Sequence, residues 1–271
     1  SSSSASSSAA ANATAGGCRE TTFLVPLSLF APGEYPVKSS RAHAVLGGVI
    51  VGMVVTWFLH VGQFPTRLRR LHTAYVVSGC LQLLLGVYLL SWCFVWLQPG
   101  QLRALWTYST RDLLQLQHIA ISCCAICCGA IEVGVGRGRL LHDQWHVLWC
   151  LNMCCVGMVF MVHPQANFDG SSTHTMLGFF IVFGAVFFLA EKWKGFPEDL
   201  YESWNIVIAG GLYLFAASLL LRFQEHPHSD AHGLMPGAAE GQHVGYDLGC
   251  HRGTPVTLAC LTVAAGSGVL L

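Results

Sequence analysis

Apolar positions fall into six long runs separated by short polar stretches, and each run is close to the length that crosses a bilayer. A helix of about 20 residues rises about 30 Å, the thickness of the hydrocarbon core of a membrane. The pattern predicts helices at about 43–60, 72–97, 112–135, 146–163, 173–190 and 203–221. A polar loop rich in His and Gly, 223–253, precedes the expected last helix at 254–271. The expected fold class is therefore all-α: a polytopic membrane helix bundle with six to seven transmembrane helices.

Residues 1–42 differ from this pattern and indicate an extramembrane N-terminal segment. The opening stretch SSSSASSSAAANATAGG has low complexity and cannot build a hydrophobic core. Pro26, Pro32 and Pro36 argue against a long helix in the remainder.

The composition supports a membrane protein and excludes other classes. Of all residues, 53% are hydrophobic and only 10% are charged, whereas soluble domains carry about 25% charged residues. Basic and acidic residues balance at 14 each, so nothing points to a nucleic-acid partner. The expected partner is the lipid bilayer, together with other membrane subunits if the chain is part of a larger assembly. The sequence shows no Ser-His-Asp order, P-loop or HExxH motif, so an enzyme is not favoured and no catalytic residue is assigned.

Basic residues beside helix ends indicate the topology. The short loops after the first, third and fifth predicted helices carry Arg67, Arg69 and Arg70; Arg137 and Arg139; and Lys192 and Lys194. By the positive-inside rule these loops face the cytoplasm, which puts the N-terminus on the lumenal or exoplasmic side. Asn12 in Asn12-Ala13-Thr14 is then a glycosylation candidate. Cys18 and Cys250 fall on the same side and are candidates for a disulfide.

Four predicted helices each bring one histidine to this outer face. His43 begins the first helix, His118 lies near the start of the third, His163 ends the fourth and His174 begins the fifth. Ionisable residues at membrane depth are costly, and they indicate a functional site by default. Neutral imidazoles are the commonest metal ligands, and a facing pair can hold a haem iron. Asp169 is a candidate for a residue that supports these ligands.

Other interpretations stay open. The histidines can form a hydrogen-bonded structural network in an accessory subunit of a larger membrane assembly. A transporter or channel is a third class, although the helices contain few carboxylates. Glu132 lies near the inner end of the third helix, far from the histidines. The cysteines of CCAICC (123–128) act most simply as small apolar side chains, with a metal-thiolate site as the alternative.

Several motifs, in order, resemble the transmembrane protein 45 family, multi-pass proteins built around a domain of unknown function. Arg41-Ala42-His43-Ala44-Val45-Leu46-Gly47 is similar to the family's Gly-His-x-x-Pro-Gly signature, with Leu46 in place of Pro. Gln117-His118 and the following ISCCAICCGAIEV resemble a helix that often carries His-His and ends in an acid; here Gln117 replaces the first histidine and Glu132 matches the acid. His163, the polar turn and His174-Thr175-Met176-Leu177 resemble the family's histidine-rich turn, with one histidine missing.

This resemblance covers roughly residues 41–225 and implies a bundle of six to seven helices without an established reaction. The four histidines reached from the helix pattern match the family's histidine positions. The leading expectation is therefore an integral membrane protein whose outer-leaflet histidines, His43, His118, His163 and His174, coordinate a metal ion or haem.

Overall fold

The computed structural model describes residues 20–24, 35–61, 69–94, 113–141, 144–163, 168–192, 202–222, 242–246 and 253–271. Asn12, Cys18 and Cys250 lie outside these ranges. The helices are α1 (Tyr35–Val61), α2 (Arg69–Phe94), α3 (Leu113–Gly136), α4 (Gln144–Met161), α5 (Phe168–Lys192), α6 (Glu202–Arg222) and α7 (Thr254–Leu270). Two strands, β1 (Glu20–Leu24) and β2 (Gln242–Tyr246), accompany them.

The predicted all-α membrane bundle is confirmed. Five helices, α2 to α6, are long and apolar enough to cross a membrane, and the described apolar parts of α1 (His43–Phe58) and α7 (Thr254–Leu270) are shorter. The chain is thus a multi-pass integral membrane protein. Helix α1 begins at Tyr35, earlier than expected, because Pro36 occupies its first turn, where a missing N–H group costs nothing.

The first six helices form a closed ring. Each of α1 to α6 packs against the next in the chain, and α6 packs back against α1. Helix α7 lies outside this ring against α3 and α4. A buried hydrogen bond of 2.8 Å from Asn152 Nδ2 on α4 to Ser267 Oγ fixes α7 there. The connections after α1, α3, α4 and α5 are short, which favours antiparallel neighbours, whereas α2 and α3 pack together across the longer segment 95–112.

Glycines bring neighbouring helices of the ring into backbone contact. A methyl group added at Gly79 on α2 would lie 2.7 Å from the carbonyl oxygen of Gly129 on α3. One added at Gly157 on α4 would lie 2.6 Å from the carbonyl oxygen of Gly178 on α5. Small residues that allow such approach are the usual basis of helix association in membranes.

Buried cysteines link the same helices through weak thiol hydrogen bonds to carbonyl groups. Cys128 Sγ lies 3.5 Å from the Trp149 oxygen, Cys127 Sγ lies 3.3 Å from the Ala264 oxygen, and Cys150 Sγ lies 3.4 Å from the Ala185 oxygen. These thiols pack as small side chains with a weak donor.

The small β-ribbon was not expected from the sequence. Strands β1 and β2 pair antiparallel, with Glu20 opposite Tyr246 and Leu24 opposite Gln242. They lie within the segments predicted as low-complexity or polar, and five residues each are too few for an apolar alternation to stand out.

Candidate functional site

The four predicted histidines lie at one end of the helix ring, the histidine end. His43 is near the start of the apolar part of α1, His118 lies in the second turn of α3, and His174 lies in the second turn of α5. His163 directly follows the end of α4. His163 and His174 are buried, with 7% and 2% of their surfaces exposed, while His43 and His118 are half-buried.

Ring contacts join these side chains into a continuous series, the histidine row. The rings of His118 and His163 meet edge to face with centroids 5.3 Å apart. Those of His163 and His174 stack at 5.2 Å with 20° between their planes. His174 then meets His43 edge to face at 5.8 Å. The row runs from α3 through α4 and α5 to α1.

A hydrogen bond orients the central ring of the row. His163 Nδ1 lies 2.8 Å from Gln117 Oε1 on α3, and both groups are buried. Since an amide oxygen only accepts, Nδ1 of His163 is the donor in this bond. Among the described residues, Gln117 Nε2 is buried and has no hydrogen-bond partner. By sequence Gln117 replaces a family histidine, and in the structure it orients the ring of His163.

The row crosses the ring of helices. Helices α1 and α5 are separated by α6 in the ring, so the contact between His43 and His174 spans the interior. Phe160 lies below, with its ring centroid 5.9 Å from that of His174. Beneath Phe160 a cavity of about 40 Å³ extends toward Gln82 on α2. The row and Phe160 therefore lie across the ring's interior at the histidine end.

An aromatic layer fills the ring further from the histidine end. Trp57, Trp149, Phe188 and Tyr213 come from four helices, and all four side chains are buried. The ring of Trp57 lies 5.0 Å from Phe188, 5.5 Å from Tyr213 and 6.0 Å from Trp149. Beyond it, His146 at the start of α4 contacts Phe188 and Tyr75, with centroids 6.4 and 6.2 Å away.

The geometry of the row does not favour the expected metal or haem ligation. Among the described residues, no three His, Cys, Asp or Glu side chains are grouped so that they could hold a metal ion. Ring contacts join each histidine to the next, from His118 through His163 and His174 to His43. A haem needs its axial ligands on opposite faces of the porphyrin, but each neighbouring pair in the row is in direct ring contact.

Asp169 is the remaining candidate that the sequence predicts for this site. Asp169 lies in the first turn of α5, but its side chain is outside the part of the chain whose side chains are described. The comparisons with known proteins found no matching family model, no similar curated protein and no similar solved structure.

Proposed function

We propose that the histidine row is a structural polar network that holds the ends of four helices together and closes the interior of the ring. The observation that supports this is the pattern of contacts: each imidazole packs on another imidazole, and the most buried pair, His163 and His174, is stacked. Aromatic pairs of this kind contribute about 0.5–1.5 kcal/mol beyond the burial of their area.

The proposed protein class is an accessory or scaffold membrane protein that resembles the transmembrane protein 45 family. The order of motifs around His43, His118, His163 and His174 supports the resemblance. The ring contacts between these same positions support a shared structural role. In this proposal Gln117, which replaces a family histidine, keeps the network intact because it still accepts a hydrogen bond from His163.

The proposed topology puts the N-terminus and the histidine end on the lumenal or exoplasmic side. The basic residues in the short loops after α1, α3 and α5 support this orientation. Arg137 and Arg139, which follow α3, are exposed in the turn at the opposite end of the ring.

A double-mutant cycle on His163 and His174 tests the structural role. If the stacked rings stabilise the fold, the His163→Ala and His174→Ala losses are not additive, with a coupling of about 0.5–1.5 kcal/mol. Met176→Ala provides the matched control, because Met176 is 51% exposed and lies half a turn from His174 on α5. Its effect adds to that of His163→Ala within about 0.5 kcal/mol. Fully additive effects of the two histidine changes would contradict the proposal.

A further inference from the structure

A buried carboxyl group lies in α3 near the end of the ring opposite the histidines. Glu132 is 3% exposed and is one helical turn from the end of α3 at Gly136. Neither of its side-chain oxygens has a hydrogen-bond partner among the described residues. About 22 Å of helix separates it from Gln117 and the histidine row, at about 1.5 Å per residue.

Uncharged polar groups from two other helices surround this carboxyl group. Ser78 and Gln82 of α2 are fully buried and interact with Glu132. Trp149 of α4 donates its indole N–H to Gln82 Oε1 at 3.2 Å, and Gln82 Nε2 donates to Ser78 Oγ at 3.4 Å. Because the indole N–H bonds the amide oxygen of Gln82, the NH₂ group of Gln82 points toward Ser78. Backbone contact at Gly79 holds α2 against α3 here, since an added methyl group would lie 2.9 Å from Glu132 Cβ.

Among the described residues, the titratable groups near Glu132 are Cys128, Tyr213, Tyr75 and His146. Cys128 lies one turn earlier on α3, and the buried Tyr213 hydroxyl on α6 has no hydrogen-bond partner in the described part of the chain. Tyr75 and His146 lie one turn from Ser78 and Trp149, with ring centroids 6.2 Å apart. Of these groups His146 can carry a positive charge, but it forms no hydrogen bond with the Glu132 oxygens. The uncharged polar groups near Glu132 are Ser78 and Gln82 on α2 and Trp149 on α4. Helix α7 packs on α3 at Cys124 and Cys127. Arg137 is exposed in the turn after α3. No described lysine or arginine forms an ion pair with the carboxyl group.

We propose that Glu132, Ser78, Gln82 and Trp149 form a proton-binding site, in which Glu132 carries an exchangeable proton as a neutral carboxylic acid. An isolated carboxylate at membrane depth without a cation is strongly disfavoured, and such a group becomes neutral instead. The acid has one O–H donor and keeps acceptor capacity, which suits the Ser78 hydroxyl and the Gln82 NH₂ group. This site is separate from the histidine row and does not depend on its proposed role.

The proton exchanges at the end of the ring opposite the histidines. Between Glu132 and the histidine row lies the cavity of about 40 Å³, and Gln82 is the one polar residue among those that line it. Water in a cavity needs two to four polar partners, and among the side chains that line this cavity only the Gln82 amide is polar, already bonded to Trp149 and Ser78. Such an apolar lining disfavours water and, with it, a proton path from the histidines. The opposite end is only one turn of α3 away.

Labelling with dicyclohexylcarbodiimide tests the site in the intact protein in phosphatidylcholine vesicles. This apolar reagent enters the bilayer and reacts with a protonated carboxyl group. The acid proton moves to a carbodiimide nitrogen while the carboxyl oxygen bonds to the central carbon, and the acyl group then migrates to nitrogen. The stable N-acylurea contains all atoms of both reactants, so peptide mass spectrometry locates it.

We expect the adduct on Glu132 in preference to acidic residues outside the spans. The yield falls about tenfold per pH unit once the carboxylate form predominates, and it is unchanged by sodium chloride. Glu132→Gln keeps a side chain of the same shape and removes the adduct; the wild-type peptide map identifies the site even if this variant does not fold. An unlabelled Glu132 would overturn the proposal, and so would a yield independent of pH. Protection by sodium at constant pH would also overturn it and would assign a metal cation to the site.

Discussion

The contact between Gly157 and Gly178 gives the sharpest test of how packing positions the histidine row. These glycines place α4 against α5 directly below the stacked pair His163 and His174. A methyl group at position 178 would overlap the Gly157 carbonyl oxygen and would lie 2.9 Å from the Met161 nitrogen. Both are backbone atoms, which cannot turn aside. We therefore expect Gly178→Ala to push the two helices apart.

The size of the effect follows from these distances. At the facing position a methyl group on Gly157 would lie 2.6 Å from the Gly178 oxygen, and ordinary contact begins at 3.4 Å. Restoring contact there needs a separation of about 0.8 Å, and Gly178→Ala, whose methyl group overlaps the Gly157 oxygen more closely, needs at least as much. A gap of this size forfeits a quarter to a half of the dispersion energy at each contact. Overpacking of this kind costs about 1–3 kcal/mol.

Gly211→Ala on α6 is the matched control. No atom of the described residues lies within 4 Å of a methyl group added at Gly211. Both variants gain the same helix propensity, about 0.5–1 kcal/mol for alanine over glycine, so the difference between them isolates the packing term. At about 2–4 °C per kcal/mol, Gly178→Ala should melt roughly 2–12 °C below Gly211→Ala.

Buried cysteines of the protein can report its unfolding in this assay. Several cysteines are buried in the bundle, among them Cys124, Cys128 and Cys260, while Cys80 is exposed. A thiol-reactive dye in detergent therefore reports unfolding above the baseline set by the thiols that react in the folded protein, Cys80 among them. If Gly178→Ala melts at or above the Gly211→Ala temperature, then α4 and α5 do not meet at these glycines, and the described packing below the histidine row is wrong.

Three further predictions concern individual residues. Gln117→Leu removes the hydrogen bond to a buried histidine and should cost about 1–3 kcal/mol in the same melting assay, whereas an unchanged melting temperature would show that this bond contributes nothing. Glu20 pairs with Tyr246 at one end of the β-ribbon, and Cys18 and Cys250 lie a few residues beyond that end in the sequence. We therefore expect these cysteines to form a disulfide. Unaltered gel mobility of a protease-nicked sample on reduction would argue against it. With a lumenal N-terminus, we expect Asn12 to be glycosylated in a eukaryotic secretory system. Glycosidase treatment should then increase the gel mobility of the wild-type protein but not that of Asn12→Gln. Accessibility of this segment to protease from the cytosolic side would reverse the topology.

Hydrophobic periodicity is enough to predict the seven helices of the described part of the chain. Long apolar runs with few charges identify membrane spans because the bilayer leaves few alternatives for the backbone. The pattern puts the start of the first helix near His43, because prolines disfavour helix interiors, whereas α1 begins at Tyr35 because Pro36 is tolerated in a first turn. The β-ribbon was missed because its strands are short and their pairing joins the two ends of the chain.

The candidate sites were only partly visible in the sequence. Helix direction places His118 and His163 at the same end, but only the packing shows that the histidines follow one another in a row. Ser78 and Gln82 were not selected, because uncharged polar residues in an apolar helix give no signal by themselves. Their importance depends on Trp149 and Glu132, which reach them from other helices.

We propose above all that the histidine row is a packed network and not a coordination site. The most direct measurement is elemental analysis with an absorption spectrum on the detergent-purified protein, in wild-type form and with His118 and His163 changed to alanine. A packed network predicts no Soret band and no stoichiometric metal in either form. A Soret band, or one metal ion per chain, that disappears in the double variant would contradict it and would make the row a cofactor site.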